Sequence, residues 1–181
     1  MLWIDSKTKA ALFRHCRIGD ALWIGKVYKD PANGEAIPFQ FGVHQYLMFF
    51  QSPLTAAGED ADLLRETANV WANGHQPCRA SRLIKFCRAD SEDDALFRPE
   101  KWELDHSHQI FQFAETLGEV VALHSEQCSS TAQYYYVAAT DGLHKMYQRI
   151  FKRLNRTILR GRFFELQGLG ETFYGYQKIS G

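Results

Sequence analysis

The feature that most restricts the fold is a segment, residues 143–162, in which apolar and basic side chains recur with the period of an α-helix. At about 100° per residue, the apolar side chains fall on one side of a helical wheel and the basic ones on the other. The apolar set is Leu143, Met146, Tyr147, Ile150, Phe151, Leu154 and Ile158, and the basic set is Lys145, Arg149, Lys152, Arg153, Arg156 and Arg160. Thr140 or Asp141 can cap the N-terminus, and Gly161 can end the helix. The segment predicts a helix from about 141 to 160 whose apolar side must pack against another element.

The basic side of this predicted helix carries charge of one sign only. No acidic residue occurs between Lys145 and Arg162, although the whole chain has 21 Lys and Arg against 21 Asp and Glu. Like charges one turn apart destabilise a helix by about 0.2–0.5 kcal/mol per pair, so an anion should offset them. We predict a surface for nucleic acid, another polyanion or an acidic protein surface, made of Lys145, Arg149, Lys152, Arg153, Arg156, Arg160 and Arg162.

The acidic stretch Asp90–Asp105 offers an alternative partner within the chain. It contains seven acidic residues against Arg98 and Lys101. If this stretch faced the basic helix within the fold, it would neutralise the helix internally. Exposed ion pairs contribute only about 0–1 kcal/mol each, so they cannot alone dictate such packing.

Periodicity in the rest of the chain predicts a mixture of helices and strands. Helices are predicted at Ser6–Arg17, with Ser6 as its N-cap, and at Glu59–Asn73 and Ser107–Leu117. Strands are predicted at Ala21–Lys29, Ala36–Val43, His44–Gln51, Arg82–Arg88, Glu119–His124, Tyr134–Ala139, Phe163–Gln167 and Thr172–Ile179. Asn33-Gly34 marks the first hairpin, and Pro38 suits an edge position or a strand start. The prediction is a single α+β domain over residues 1–181, with a mostly antiparallel sheet, an N-terminal β-hairpin, and a C-terminal hairpin after the basic helix.

The composition is typical of one globular domain in a reducing compartment. Hydrophobic residues make up 45% of the chain and aromatic residues 14%, which excludes a disordered protein. Cys16, Cys78, Cys87 and Cys128 form no CxxC pair, so we assign them no chemistry. The sequence has no apolar run long enough to span a bilayer, and its charged N-terminus is unlike a signal peptide. We therefore expect a cytoplasmic protein without a membrane partner.

Aromatic residues near the basic helix favour RNA or single-stranded DNA over duplex DNA. Guanidinium groups bind phosphate oxygens, and aromatic rings stack on exposed bases. The nearby set is Tyr134, Tyr135, Tyr136, Phe163, Phe164, Phe173, Tyr174 and Tyr176. Because alternate side chains of a strand point to opposite faces, at most about half of these can share one exposed surface.

Three residues near the basic helix are candidates for catalysis, and the sequence leaves a nuclease activity open. His144 follows Asp141 by one helical turn, so the carboxylate could orient the imidazole as a general base beside a bound phosphate. Glu165 is the acidic residue that a predicted strand places close to the helix.

The sequence does not indicate a cofactor or a metal. It has no P-loop, no dinucleotide-binding glycine motif and no serine-hydrolase elbow. His106 and His108 form an HxH pair, with His124 further along the chain. However, at a predicted helix start, side chains two residues apart diverge by about 200°. We therefore expect neither a metal site nor a cofactor.

The order of the predicted elements in the last third resembles the C-terminal half of the GNAT acyltransferases. The resemblance covers about fifty residues: the strand Tyr134–Ala139, a helix with MYQR at 146–149, and then paired strands. It implies an acyl-CoA substrate whose pyrophosphate binds a glycine-containing turn after the preceding strand. The corresponding residues 124–131 (HSEQCSST) contain no glycine. A third interpretation is a noncatalytic protein-interaction module, such as an inhibitor or immunity protein, whose acidic and basic surfaces form the interface.

Overall fold

The computed structural model describes residues 4–17, 21–30, 34–53, 78–89, 107–138, 141–153, 159–166 and 173–179. The helices in these ranges are α1 (Ser6–Phe13), α2 (Ser107–Gln127) and α3 (Asp141–Arg153). The strands are β1 (Leu22–Ile24), β2 (Tyr28–Asp30), β3 (Gly34–Phe41), β4 (His44–Gln51), β5 (Ser81–Arg88), β6 (Gln133–Val137), β7 (Phe163–Glu165) and β8 (Phe173–Lys178). Five predicted features lie outside the described residues: the helix Glu59–Asn73, the acidic stretch Asp90–Asp105, Asn33 of the hairpin turn, the N-cap Thr140 and the basic residue Arg156.

All eight strands belong to one sheet, in the order β1-β3-β4-β5-β6-β8-β7, with β2 also paired to β3. Each of these pairs is antiparallel except β5 and β6, which run in parallel. A parallel pair needs a long crossover connection, and α2 lies in the segment that makes it. The predicted α+β fold with a mostly antiparallel sheet is confirmed.

The largest difference from the prediction is α2, which is one helix of 21 residues. The strand predicted at Glu119–His124 is therefore wrong. The Val-Val pair in that segment favours a strand, but its buried side chains continue a helical spacing: Phe113, Ala114, Leu117, Val120, Val121 and His124. Packing of this apolar face against the sheet overrides the local β preference of two valines.

The predicted basic helix is present as α3, which begins at Asp141 and is described to Arg153. Residues 154–158 lie outside the described ranges. The chain then turns before β7, and Gly161 in this turn has a φ of 73°. This left-handed conformation is the one expected of a residue that follows a helix.

The edge of the sheet beside β3 is built from two short strands rather than one long one. β1 pairs with β3 up to Ile24, opposite Phe39, and β2 resumes at Tyr28, opposite Ala36. Pro38 lies opposite the break between the two strands, where its carbonyl accepts a hydrogen bond from Gly25 N at 2.8 Å. A proline has no N–H to donate, so the interrupted strand suits its position.

The core lies on both faces of the sheet. Side chains of α2 and α3 join the larger apolar cluster on one face, which includes Phe113 of α2 and Tyr147 of α3. Phe13 of α1 joins a smaller cluster with Leu47 and Phe49 on the other face. Among the described helices, α1 thus packs on one face of the sheet, and α2 and α3 pack on the other.

The remaining boundaries differ from the prediction by a few residues. The N-cap of α1 is Asp5 rather than Ser6, because the Asp5 carboxylate accepts hydrogen bonds from the backbone N–H groups of Lys7 and Thr8, both at 3.0 Å. β4 has the predicted limits, and β5 begins one residue earlier than predicted. Among the described helices, none is long and apolar enough to cross a bilayer.

Candidate functional site

Six of the seven basic residues of the predicted surface are described, and they lie on α3 and on the turn that precedes β7. Lys145 is exposed on α3, and Arg160 is exposed in the turn. Arg149, Lys152 and Arg153 belong to the helix α3 itself. The backbone of α3 thus places four of the seven predicted basic residues on one continuous helix.

Arg162 has an acidic partner within the fold that the sequence did not suggest. Its Nη1 lies 2.6 Å from Oε1 of Glu126, which belongs to the last turn of α2. Both side chains are about half exposed, at 48% and 57%. An ion pair in this environment is weak, but it partly balances one of the seven predicted cations.

His144 lies on α3 and has partners for both of its ring nitrogens. Nδ1 lies 2.8 Å from the hydroxyl of Tyr174 on β8, and Nε2 lies 2.8 Å from the side-chain amide nitrogen of Gln148. An amide nitrogen can only donate, so Nε2 accepts, and in the neutral ring the proton is on Nδ1. The imidazole is therefore oriented by a tyrosine and a glutamine, whereas the sequence pointed to Asp141.

Glu165, the third catalytic candidate, is exposed on β7 and pairs with Tyr176 across the strands. Tyr174 lies two residues before Tyr176 on the same strand and therefore on the same face of the sheet. Burial raises the pKa of Tyr174, and the charge of Glu165 adds to this rise. The fold thus brings the electrostatic influence of Glu165 to the residue that holds His144.

Most of the aromatic residues expected near a bound base are buried. Tyr134, Tyr135 and Tyr136 are all at most 1% exposed, and Phe163 and Tyr176 are also in the core. Phe164 is 49% exposed, and Tyr174 is half-buried. The fold uses these rings mainly as core, because both faces of β6 are covered.

A second group of polar side chains lies inside the protein, and we call it the interior cluster: Glu35, Arg82, His124, Cys128 and Tyr134. Glu35 is the second residue of β3, and Gly34 before it has a φ of 85° that favours glycine. His124 lies in the last turn of α2, and Cys128 follows the helix end, with its N–H bonded to the His124 carbonyl at 2.8 Å.

Glu35 and Arg82 form a two-point ion pair across β3 and β5. Arg82 Nε lies 2.9 Å from Oε2 of Glu35, and its Nη2 lies 3.3 Å from Oε1. The two side chains are only 14% and 17% exposed. The facing His124 ring and the Arg82 guanidinium lower the pKa of Glu35 to about 2, against the effect of burial. Glu35 is therefore a carboxylate at neutral pH.

His124 is fully buried, and the described part of the chain gives only one of its ring nitrogens a hydrogen-bond partner. Its Nδ1 lies 2.8 Å from the Tyr134 hydroxyl, and the ring stacks on Phe50 with centroids 3.8 Å apart. Its Nε2 has no hydrogen-bond partner among the described residues and lies 3.9 Å from Oε2 of Glu35, which is too long for a hydrogen bond. Burial lowers the pKa of His124, although the Glu35 carboxylate opposes this. The ring is neutral at neutral pH.

Cys128 completes the cluster with a buried thiol. One ligand atom each from Glu35, His124 and Cys128 lies within 4.8 Å of the other two. Burial raises the pKa of the Cys128 thiol, the charge of Glu35 adds to the rise, and Lys29 and Arg82 oppose it. A carboxylate, an imidazole nitrogen and a sulfur atom therefore converge at one point inside the protein.

Sequence reasoning missed this cluster although one signal was present. His124 and Cys128 are four residues apart, a spacing that places two side chains on the same face of a helix. The prediction of a strand at Glu119–His124 hid that relation. Glu35 lies between the predicted strands Ala21–Lys29 and Ala36–Val43, and tertiary packing sets the register that brings it beside α2.

No protein-family model, curated protein or solved structure matches this chain. Function is therefore inferred from the side chains and the geometry alone.

Proposed function

We propose that this protein binds nucleic acid through the basic side of α3 and the adjoining turn. The observation that carries this proposal is that Tyr147 and Leu143 of α3 pack into the core, while no acidic residue occurs between Lys145 and Arg153. Tyr147 is buried, and Leu143 packs against the main core, whereas Lys145 is exposed. The helical period of the sequence groups Arg149, Lys152 and Arg153 with the exposed Lys145, which supports the proposal.

The charges along α3 suit a polyanion better than an ordinary solvated surface. Between Asp141 and Arg153 the helix sequence contains four basic residues, and Asp141 is its only acidic one. Asp141 lies in the first turn, where a carboxylate is stabilised by the helix dipole. Phosphates along a nucleic acid would remove the repulsion among the basic residues, with release of counterions.

The preference for RNA or single-stranded DNA over duplex DNA is the finer part of the proposal. Phe164 supports it, because this ring is about half exposed on β7, close in sequence to Arg160 and Arg162. The buried tyrosines of β6 do not contribute, so we expect few stacked bases and mainly phosphate contacts. Since both ring nitrogens of His144 are hydrogen-bonded, we propose binding rather than hydrolysis. Cys16, Cys78, Cys87 and Cys128 form no disulfide, which is compatible with the proposed cytoplasmic location.

The test is fluorescence anisotropy with labelled single-stranded RNA, single-stranded DNA and duplex DNA of equal length, over a range of salt concentrations. Replacing Arg149, Lys152, Arg153 and Arg156 by Glu should abolish binding. In the wild type, log K should fall linearly with log salt, by about 0.7 per phosphate contact for a single strand. Salt-independent binding, or none at low salt, contradicts the proposal.

A matched control separates the site from net charge. Lys7, Arg17, Lys26 and Arg79 are exposed and lie outside α3, and their replacement by Glu changes the net charge by the same amount. We expect this control to retain most of the affinity of the wild type. Equal losses in the two variants would mean that binding follows net charge rather than the α3 surface. A partner protein that stays bound after nuclease treatment would favour the interaction-module alternative.

A GNAT-like acyltransferase is the second candidate, because β6, α3 and the pair formed by β7 and β8 follow one another in the expected order. With the strand at Glu119–His124 replaced by a helix, the strand that precedes β6 in the described residues is β5. The glycine-containing turn would then fall in residues 89–106, which also contain no glycine. Acetyl-CoA should raise the thermal unfolding midpoint if this candidate is right and leave it unchanged if the basic surface binds only nucleic acid.

A further inference from the structure

We propose that Glu35, His124 and Cys128 form a binding site for one Zn²⁺ ion. The site is independent of the basic surface on α3, so either proposal can fail without the other. Its three ligand atoms come from β3, from the last turn of α2 and from the residue that follows that helix. A metal at this point would fasten the C-terminal end of α2 to the sheet.

The first argument is the unsatisfied ring nitrogen of His124. A fully buried imidazole normally has a partner for each nitrogen, since a buried polar atom without one costs about 1–3 kcal/mol. Nδ1 has the Tyr134 hydroxyl, whereas Nε2 lies 3.9 Å from Glu35 Oε2 and has no hydrogen-bond partner among the described residues. Metal binding requires the tautomer with the proton on Nδ1, which then donates it to the Tyr134 hydroxyl. In that tautomer the lone pair of Nε2 lies beside the Glu35 carboxylate, and a cation between them removes the repulsion.

The second argument is the geometry of the three ligand atoms. In a tetrahedral zinc site with bonds of about 2.0–2.3 Å, neighbouring ligand atoms lie about 3.3–3.8 Å apart. The distance from His124 Nε2 to Glu35 Oε2 is 3.9 Å, and all three ligand atoms lie within 4.8 Å of one another. Side-chain rotations that move the ligand atoms by about 1 Å bring these separations into the range of a tetrahedral site.

The third argument is the chemistry of the set and of its surroundings. Imidazole nitrogen, thiolate sulfur and carboxylate oxygen are all ligands that Zn²⁺ accepts, whereas Mg²⁺ and Ca²⁺ prefer oxygen alone. Binding forms the Zn–S bond and releases the Cys128 thiol proton to solvent, so Glu35 and Cys128 together supply two negative charges. Tyr134 and Arg82 already hold His124 and Glu35 from the outside, as the outer partners of metal ligands do.

Cobalt substitution tests the site, because Co²⁺ bound to a thiolate absorbs through charge transfer. Metal-free wild-type protein titrated with Co²⁺ should develop this band at one equivalent, and Zn²⁺ should remove it. Cys128→Ser should abolish the band, whereas Cys78→Ser, which changes an exposed cysteine, should retain it. A wild type without the band, or a band that depends on Cys78 rather than Cys128, overturns the proposal.

A measurement on the unaltered protein covers the case in which Cys128→Ser fails to fold. In ¹⁵N spectra of the histidine rings, Zn²⁺ should shift Nε2 of His124 and leave both nitrogens of His144 unchanged. His144 is the matched control because its Nδ1 also bonds a tyrosine hydroxyl at 2.8 Å. Unchanged His124 nitrogens at saturating Zn²⁺ would mean that the cluster binds no metal.

Discussion

The interior cluster and the surface around α3 contain the same two kinds of side-chain pair. In the interior, Arg82 pairs with Glu35 at 2.9 Å, and His124 bonds Tyr134 at 2.8 Å. On the surface, Arg162 pairs with Glu126 at 2.6 Å, and His144 bonds Tyr174 at 2.8 Å. The distances are nearly equal, so the difference between the two regions lies in their exposure to water.

Exposure changes both what these pairs contribute and what they can bind. A charge in the interior has little water around it, so losing its partner is costly, whereas a surface charge is solvated whether or not it is paired. The second nitrogen of His144 bonds Gln148, while that of His124 has no hydrogen-bond partner. This difference in exposure is the reason that we propose one small cation for the interior cluster and a polyanion for the basic surface.

The largest expected difference comes from removing the acid of each Arg–Glu pair. Glu35→Gln leaves Arg82 without a countercharge in a largely buried position and should lower the free energy of unfolding by about 3 kcal/mol. Glu126→Gln should lower it by less than about 1 kcal/mol. Urea unfolding in the presence of a chelator measures the loss in free energy of unfolding for both variants. Similar losses would mean that the two ion pairs do not differ in strength because of burial.

The backbone that positions Glu35 gives the next largest effect. Gly34 has a φ of 85°, and an added Cβ would lie 2.7 Å from the carbonyl oxygen of Phe50. Gly34→Ala should therefore cost about 2–3 kcal/mol. Gly42 has a φ of 61° with nothing within 4 Å of an added Cβ, so Gly42→Ala should cost only about 1 kcal/mol. Equal midpoints of thermal unfolding for the two variants would contradict the close approach of β3 to β4 at Gly34.

A smaller difference is expected for the two His–Tyr bonds. Tyr134→Phe removes the only hydrogen bond that is described for the buried His124 ring and should cost about 1–2 kcal/mol. Tyr174→Phe should cost about 0.5 kcal/mol, because water can replace the hydroxyl beside the half-buried His144. Denaturant unfolding compares the variants, and a larger loss for Tyr174→Phe would show that the surface pair is the more important one.

The smallest effect is the response of the two ion pairs to salt. Double-mutant cycles should give a coupling of less than about 1 kcal/mol for Arg162 and Glu126, which disappears as salt rises toward about 1 M. The coupling of Arg82 and Glu35 should persist, because buried pairs are screened much less. If salt removes both couplings, water reaches the interior pair.

The sequence predicted correctly those elements in which the pattern of apolar residues matches the side chains that the fold buries. β4 has its predicted limits because an apolar strand between two hydrogen-bonded neighbours admits few alternatives. α3 was predicted because its apolar and its basic residues both recur with the helical period and fall on opposite sides of the wheel. α2 was partly missed, since Val120 and Val121 favour a strand locally. Only their packing against the sheet shows that this segment is helical.

The candidate sites were predictable to different degrees for the same reason. The basic residues are close together in sequence, so a helical wheel was enough to group them. Arg82 follows Glu35 by 47 residues and His124 follows it by 89. Strand register brings Arg82 to Glu35, and the packing of α2 against the sheet brings His124 to both. The residues next to each of these three in the sequence form no motif, so local sequence did not indicate that they share a site.

The sequence by itself determined the apolar and basic sides of α3, the mainly antiparallel α+β class and the approximate positions of most strands, because these follow from local period and turn residues. Tertiary structure alone decided the single parallel pair, the full length of α2 and the meeting of a carboxylate, an imidazole and a thiol inside the protein. Those features depend on contacts between distant segments, where burial raises the cost of every unsatisfied polar atom and so fixes which groups must meet.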